Sequence, residues 1–177
     1  MIFPWEGDQL PWLGLAVVDQ AHVMTPVMSE VATETVEAGP GPSIYRVQAI
    51  SRPGGQSRVR CNETYVKADT GSYADRTRPG PAELLCASLA VCLLKNVERF
   101  SELLTVEYEL ARVEVEAERS DVPPAMTRMH YRLEIVSNEP TRRIELLHRN
   151  VRKFGTITNT LAAAVDLTGE VTVRPHP

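Results

Sequence analysis

From Leu84 to Leu94 the chain reads Leu-Leu-Cys-Ala-Ser-Leu-Ala-Val-Cys-Leu-Leu, with Ser88 as the single polar interruption. Gly80-Pro81-Ala82-Glu83 precedes this run and Lys95-Asn96-Val97-Glu98-Arg99-Phe100 follows it. Pro81 suits the first helical position, where its missing N–H costs nothing, and Glu83 sits favourably against the dipole of the first turn. A helix that is apolar all round is buried all round. The segment therefore predicts a central helix over Gly80–Phe100, covered on every side. A chain of 177 residues can bury roughly 70% of its unfolded surface, enough to fold with neither disulfide nor metal.

The flanking sequence predicts what covers that helix. Ser43–Ile50 and Ser57–Lys67 read as two strands around the turn Arg52-Pro53-Gly54-Gly55, where Pro then Gly has a conformational reason to bend the chain. A polar loop is expected over Ala68–Pro79. Val106–Glu118 and Thr127–Val136 alternate with period two around Asp121-Val122-Pro123-Pro124. Val113, Val115 and Ala117 share one face, and Arg112, Glu114, Glu116 and Glu118 the other; Tyr131, Leu133 and Ile135 repeat the pattern. This is an antiparallel hairpin with one wet face. The hairpin glutamates are expected to pair across strands with Arg112, Arg128 and Arg132. Thr141–Phe154 returns to helical spacing through Ile144, Leu147 and Val151, with Arg142, Arg149 and Arg152 on its solvated face. A short helix over Thr156–Ala164 and a strand over Leu167–Arg174 complete an α+β order of elements.

Charge is distributed unevenly. Residues 1–40 hold Glu6, Asp8, Asp19, Glu30, Glu34 and Glu37 without one Lys or Arg, and the rest is close to neutral. The stretch Gly39-Pro40-Gly41-Pro42 suits neither helix nor strand. We therefore read 1–42 as an N-terminal extension and 43–177 as the core domain. Trp5, Trp12, Leu13, Leu15, Val17 and Val18 make the extension too apolar to be left in water, so it is expected to dock on the core or a second subunit. A net charge of -4 argues against nucleic-acid and anionic-membrane partners. No apolar run reaches the roughly 18 residues of a membrane span. The first basic residue is Arg46, so a signal peptide is not expected, and three cysteines do not make a secreted disulfide framework. The expectation is a cytoplasmic protein.

Chemistry is sparse. His22, His130, His148 and His176 are scattered and Cys61, Cys86 and Cys92 form no CxxC, so neither metal nor cofactor is expected. Gly54-Gly55 is not followed by Gly-Lys-Ser/Thr and is a turn. On composition alone, Cys86 and Cys92 are apolar fillers of a buried helix.

A resemblance changes that reading. Gly80-Pro81-Ala82-Glu83-Leu84-Leu85-Cys86-Ala87-Ser88-Leu89-Ala90-Val91-Cys92 resembles the signature of the OsmC-like family, a Gly-Pro helix start leading to a reactive cysteine. Val151-Arg152-Lys153-Phe154-Gly155-Thr156-Ile157-Thr158-Asn159-Thr160-Leu161 resembles the family's second motif, which carries a second cysteine. The element order from about 43 to 174 also matches. The resemblance implies an intertwined homodimer with antiparallel sheets wrapped around central helices, reducing organic hydroperoxides with two cysteines. It implies that Cys92 is the peroxidatic thiol, with Arg52 or Arg58 favouring the thiolate, Arg76 and Arg78 as lesser candidates, and Glu83 at the acidic position of the helix start. Two departures stand out. The place of the resolving cysteine is Gly155, and the acid after Pro81 comes one position late, at Glu83. Cys86 cannot replace the missing thiol. Six residues of helix separate it from Cys92 by about 9 Å of rise, beyond the roughly 7 Å disulfide limit. Cys61 is the remaining intrachain possibility.

Two functions follow. One is a one-cysteine thiol peroxidase that takes a small hydroperoxide at Cys92 and is recycled by an external thiol reductant. The other is a catalytically inactive OsmC-like homodimer that binds a small apolar ligand or serves a structural role.

Overall fold

The structure, a computed structural model, describes residues 42–73 and 76–176, and its elements all fall within residues 44–177. The expectations for residues 1–40 lie outside the described residues. Three strands come first: β1 (Val47–Arg52), β2 (Gln56–Cys61) and β3 (Thr64–Asp69), antiparallel in that order. The long helix α1 (Pro81–Leu104) follows. Then come β4 (Leu110–Asp121), β5 (Pro124–Val136), α2 (Thr141–Phe154), α3 (Thr156–Ala162) and β6 (Asp166–Arg174). The fold is α+β: two three-stranded sheets and three helices.

The first sheet corrects one expectation. The run Ser57–Lys67 is two strands, because Asn62 takes φ 54 and folds β2 back onto β3. Asparagine tolerates this left-handed conformation better than most residues. The hydroxyl of Thr64 donates to the Cys61 carbonyl at 2.9 Å and closes the turn. The Arg52–Gly55 turn is as expected, with Gly54 at φ 91 and Gly55 at φ 77.

The second sheet has order β4-β5-β6, with β4–β5 antiparallel and β5–β6 parallel. The parallel pair arises because α2 and α3 carry the chain from the end of β5 back to the start of β6. One face presents Val113, Val115, Met129, Tyr131, Leu133, Ile135, Val171 and Val173 to the core. The opposite face carries the expected ion pairs, Arg132 with Glu116 at 3.6 Å, Arg112 with Glu134 at 3.9 Å, and Arg128 with Glu118. Glu170 on β6 joins Arg132 at 3.3 Å. Arg142, Arg149 and Arg152 are exposed on α2.

Its own chain covers helix α1 on one side. Leu89, Leu93 and Val97 are wholly buried, with Phe100 nearly so. Ala87, Val91 and Leu94 on the other side are exposed, Val91 at 64%. The helix is therefore buried along one stripe rather than all round. The second sheet, α2 and α3 cover that stripe. Arg143 of α2 secures the far end of α1, donating to the carbonyls of Leu104 at 2.9 Å and Thr105 at 2.7 Å. A cation there satisfies orphan carbonyls and opposes the helix dipole.

A buried polar pair ties α2 to the sheet. The Tyr131 hydroxyl and His148 Nε2 lie 2.8 Å apart, inside the core. Tyr131 fits because its neighbour on β6 is Gly169, where a Cβ would come within 2.2 Å of ring carbons Cε1 and Cζ. Burial pushes the Tyr131 phenol up to about 12, with the positive Arg152 acting the other way. Burial, helped by Arg152, pulls His148 down to about 4.

Two tests follow from this pair. Gly169→Ala should destabilise the protein by about 1–3 kcal/mol, read by urea unfolding, because the tyrosine ring must move. His148 is neutral in the folded state, whereas an unfolded histidine takes up its proton near pH 6.5. Stability is therefore undiminished above pH 6.5 and falls progressively as the pH drops from about 6.5 to about 4. Melting temperatures across that window should show the loss, and His148→Gln should flatten it.

Candidate active site

Helix α1 begins where the sequence places it. Gly80 is the N-cap, Pro81 the first helical residue, and Glu83 Oε2 accepts the Gly80 N–H at 3.1 Å. Glycine has no side-chain oxygen to return the bond, so this is half of a capping box. Glu83 is exposed, and nine residues of helix, about 13 Å of rise, separate it from Cys92. Within one chain Glu83 is a helix cap.

Cys92 stands about three turns into the helix and is half-buried. It lies on the flank between the wholly buried Leu89 and Leu93 and the exposed Val91. Its neighbour one turn on is Asn96, 9% exposed. The Asn96 Nδ2 donates to the Cys92 carbonyl at 2.8 Å and lies 3.7 Å from Cys92 Sγ as a second hydrogen bond. Cys86 sits about 120° around the helix from Cys92 and packs against the core. Burial, with the nearby Glu83 carboxylate, pushes the Cys86 thiol up. All three cysteines are free thiols.

Gly155, the position that the resemblance gives to a second thiol, is tightly packed. Gly155 joins α2 to α3 and is buried. Its φ of -76 is ordinary, so the constraint is space. A Cβ there would lie 2.5 Å from Thr158 Oγ1, 3.0 Å from Thr158 Cβ and 3.2 Å from the Val151 carbonyl. Thr158 is 4% exposed and its hydroxyl has no hydrogen-bond partner among the described residues. The threonine occupies the space next to which a resolving thiol would have to stand.

The first sheet separates the other candidates. Register places Val47, Cys61 and Thr64 in one cross-strand row, and Ala49, Val59 and Val66 in the next row on the same face. Ile50, Arg58 and Lys67 form a row on the opposite face, as do Gln48, Arg60 and Tyr65; Arg52 shares that face. Side chains alternate strictly along a strand. The face that offers Cys61 is therefore not the face that offers Arg52 and Arg58. The Arg58 guanidinium lies 4.6 Å from the Tyr65 ring centroid, a cation–π contact. Arg76 is exposed and Arg78 half-buried in the loop before α1.

The family model described as "OsmC-like protein" matches residues 74–170, over half of the sequence and including α1, the hairpin and both motifs. The chain belongs to the OsmC-like family. No curated protein matches it. Among solved structures, an OsmC-like protein from Mycoplasma pneumoniae is similar at 19% identity and TM-score 0.68, over 74% of this chain and 97% of that one. An organic hydroperoxide resistance protein OsmC from Legionella pneumophila matches at 16% identity and TM-score 0.59, over 74% and 99%. The organic hydroperoxide resistance protein OhrB of Bacillus subtilis matches at 14% and 0.55, over 73% and 100%. These likenesses confirm the fold of this OsmC-like chain.

Sequence reasoning missed Asn96 and Thr158. Asn96 was detectable as the i+4 neighbour of Cys92, since residues at that spacing meet on a helix. Thr158 carried no such signal, because its role depends on how α3 turns back on α2. A concavity of about 370 Å³ is lined by Glu107, Tyr108, Ser137 and His176 at one end of the second sheet. Cys92 does not line it. No helix among the described residues is long and apolar enough to cross a membrane.

Two tests follow. Gly155→Cys should lower stability by about 1–3 kcal/mol, and adding Thr158→Ala should recover part of it, measured by thermal melts. In the folded protein Cys86 should alkylate more slowly at pH 7 than in the urea-unfolded chain, as peptide mass mapping would show.

Proposed function

We propose that this protein is a one-cysteine, thiol-dependent reductase of organic hydroperoxides, working as a homodimer through Cys92. The observation that carries the reading is the setting of Cys92. It is a half-buried thiol with an amide donor beside it, at the edge of an exposed apolar helix face, in an OsmC-like fold. The names of the Legionella and Bacillus proteins supply the substrate class.

The chemistry balances without a second protein thiol. The Cys92 thiolate attacks one peroxide oxygen, an S–O bond forms and the O–O bond breaks. The alkoxide leaves and takes a proton to become the alcohol, and Cys92 is left as sulfenic acid. An external thiol then attacks the sulfenic sulfur, releasing water and forming a mixed disulfide, which a second external thiol reduces. Gly155 supplies no thiol, and Cys86 is both on the wrong side of the helix and raised in pKa. Arg52 and Arg58, on one face of the first sheet, are the candidate cations.

Two surfaces support the dimer. The exposed Ala87, Val91 and Leu94 of α1 and the Val47, Ala49, Val59 and Val66 face of the first sheet are both apolar. A second copy would cover them with like surfaces. Light scattering should give twice the 19.7 kDa chain mass; a monomer at micromolar concentration would contradict the dimer.

A second reading has its own observation. The close packing of Thr158 against Gly155 favours a fold retained as a non-catalytic dimer that binds a small apolar ligand.

One equivalent of cumene hydroperoxide separates the two. The reductase should consume one thiol, leave Cys92 trappable by dimedone, and pass to sulfinic acid under excess peroxide, since no fast disulfide protects it. A Cys92 inert to peroxide in the folded protein would leave the ligand-binding reading.

A further inference from the structure

We propose that Asn96 is a positioning residue for Cys92, its side-chain amide holding the sulfur in place and stabilising it as thiolate. The inference rests on the reductase reading for its purpose, but its physical content stands on geometry alone.

Asn96 is an unusual residue to find here. Asparagine in a helix interior is less favourable than alanine or leucine, because it competes for backbone hydrogen bonds. Burying its amide costs free energy unless the donors are paired. Yet Asn96 lies in the buried stripe of α1 with Leu93, Val97 and Phe100. Its amide nitrogen has two N–H groups, and both of its hydrogen bonds go to one residue, the carbonyl oxygen and the Sγ of Cys92. The first bond is an ordinary i to i−4 return to the backbone, which fixes the amide. The second is its consequence. With one N–H committed to the carbonyl, the other is held against the sulfur.

A hydrogen bond to the charged form favours that form. A thiol hardly needs the donor, being a weak acceptor, whereas a thiolate at the same place gains a charge-assisted bond. The amide is on the same helix as the sulfur, so the arrangement needs no partner subunit and no movement of the first sheet. It also fixes the Cys92 rotamer on the flank of the buried stripe. The cations at i+3 and i+7, Lys95 and Arg99, are exposed and remain the same in every variant below.

The experiment is the pH profile of Cys92 alkylation by iodoacetamide in the full-length protein, read by mass mapping of the Cys92 peptide. The parent is compared with Asn96→Leu and Asn96→Asp, near-isosteric changes that remove the donor or replace it with a carboxylate. Loss of the amide should move the half-maximal pH of Asn96→Leu upward by about one unit, an approximately tenfold slower reaction at pH 7. Asn96→Asp should move it further, because a carboxylate beside a thiolate repels it. A purely structural role predicts no ordered shift, and Leu in the buried stripe is expected to fold whether or not the aspartate does. An unchanged profile in folded Asn96→Leu would overturn the inference. So would a Cys92 that iodoacetamide cannot reach in the parent. If the profile shifts as expected while the parent ignores cumene hydroperoxide, the reductase reading fails and the role of Asn96 stands.

Discussion

The rest of the structure depends on one stripe of α1. Leu89, Leu93, Val97 and Phe100 are buried against the inner face of β4–β6 and against α2 and α3. Each such side chain contributes roughly 1.5–3 kcal/mol on burial, and the stripe meets the wholly buried Met129, Tyr131, Leu133 and Ile135 of β5 in one core. Because the stripe is fixed, so is the rotation of the helix. That rotation sends Cys86 towards the core and leaves Cys92 on the flank with Asn96. The two thiols differ in their surroundings for this reason, although both come from the same apolar run.

The opposite side of α1 and the first sheet share a property. Each presents apolar residues that the described chain leaves exposed, Val91 and Leu94 on the helix and Val47 on β1. A domain stable with these surfaces in water would be unusual, and a second copy is the economical cover. The two faces of the first sheet also differ in chemistry: one carries Cys61 and the other Arg52 and Arg58.

The second motif shows how a site is altered by packing as well as by substitution. Replacing a cysteine with glycine removes a thiol, and alone it would leave a cavity. Here Thr158 stands in contact distance of where a Cβ would be, so the space has been taken up. Under the proposed reductase reading, reduction of a sulfenic acid at Cys92 falls to a thiol from outside.

Periodicity carried much of the fold. The alternation in Val113–Glu118 and Tyr131–Ile135 fixed which residues face the core, and the spacing of Ile144, Leu147 and Val151 located α2 with its ends. The motif around Gly80–Cys92 carried the family and pointed to the cysteine. These are local properties of the chain, and the sequence by itself determined them. Asn62 was misread because a single left-handed residue can reverse a strand without disturbing its β-branched pattern. The sidedness of α1 was not legible in the sequence, because an apolar helix reports that it must be covered, not which of its faces its own chain covers. Tertiary structure alone decided the remainder: the fit of Tyr131 over Gly169, the buried pairing of Tyr131 with His148, and the strand order of the second sheet. Each of these depends on the distance between residues that are remote in sequence or on the register between strands, and neither quantity is written in any one segment.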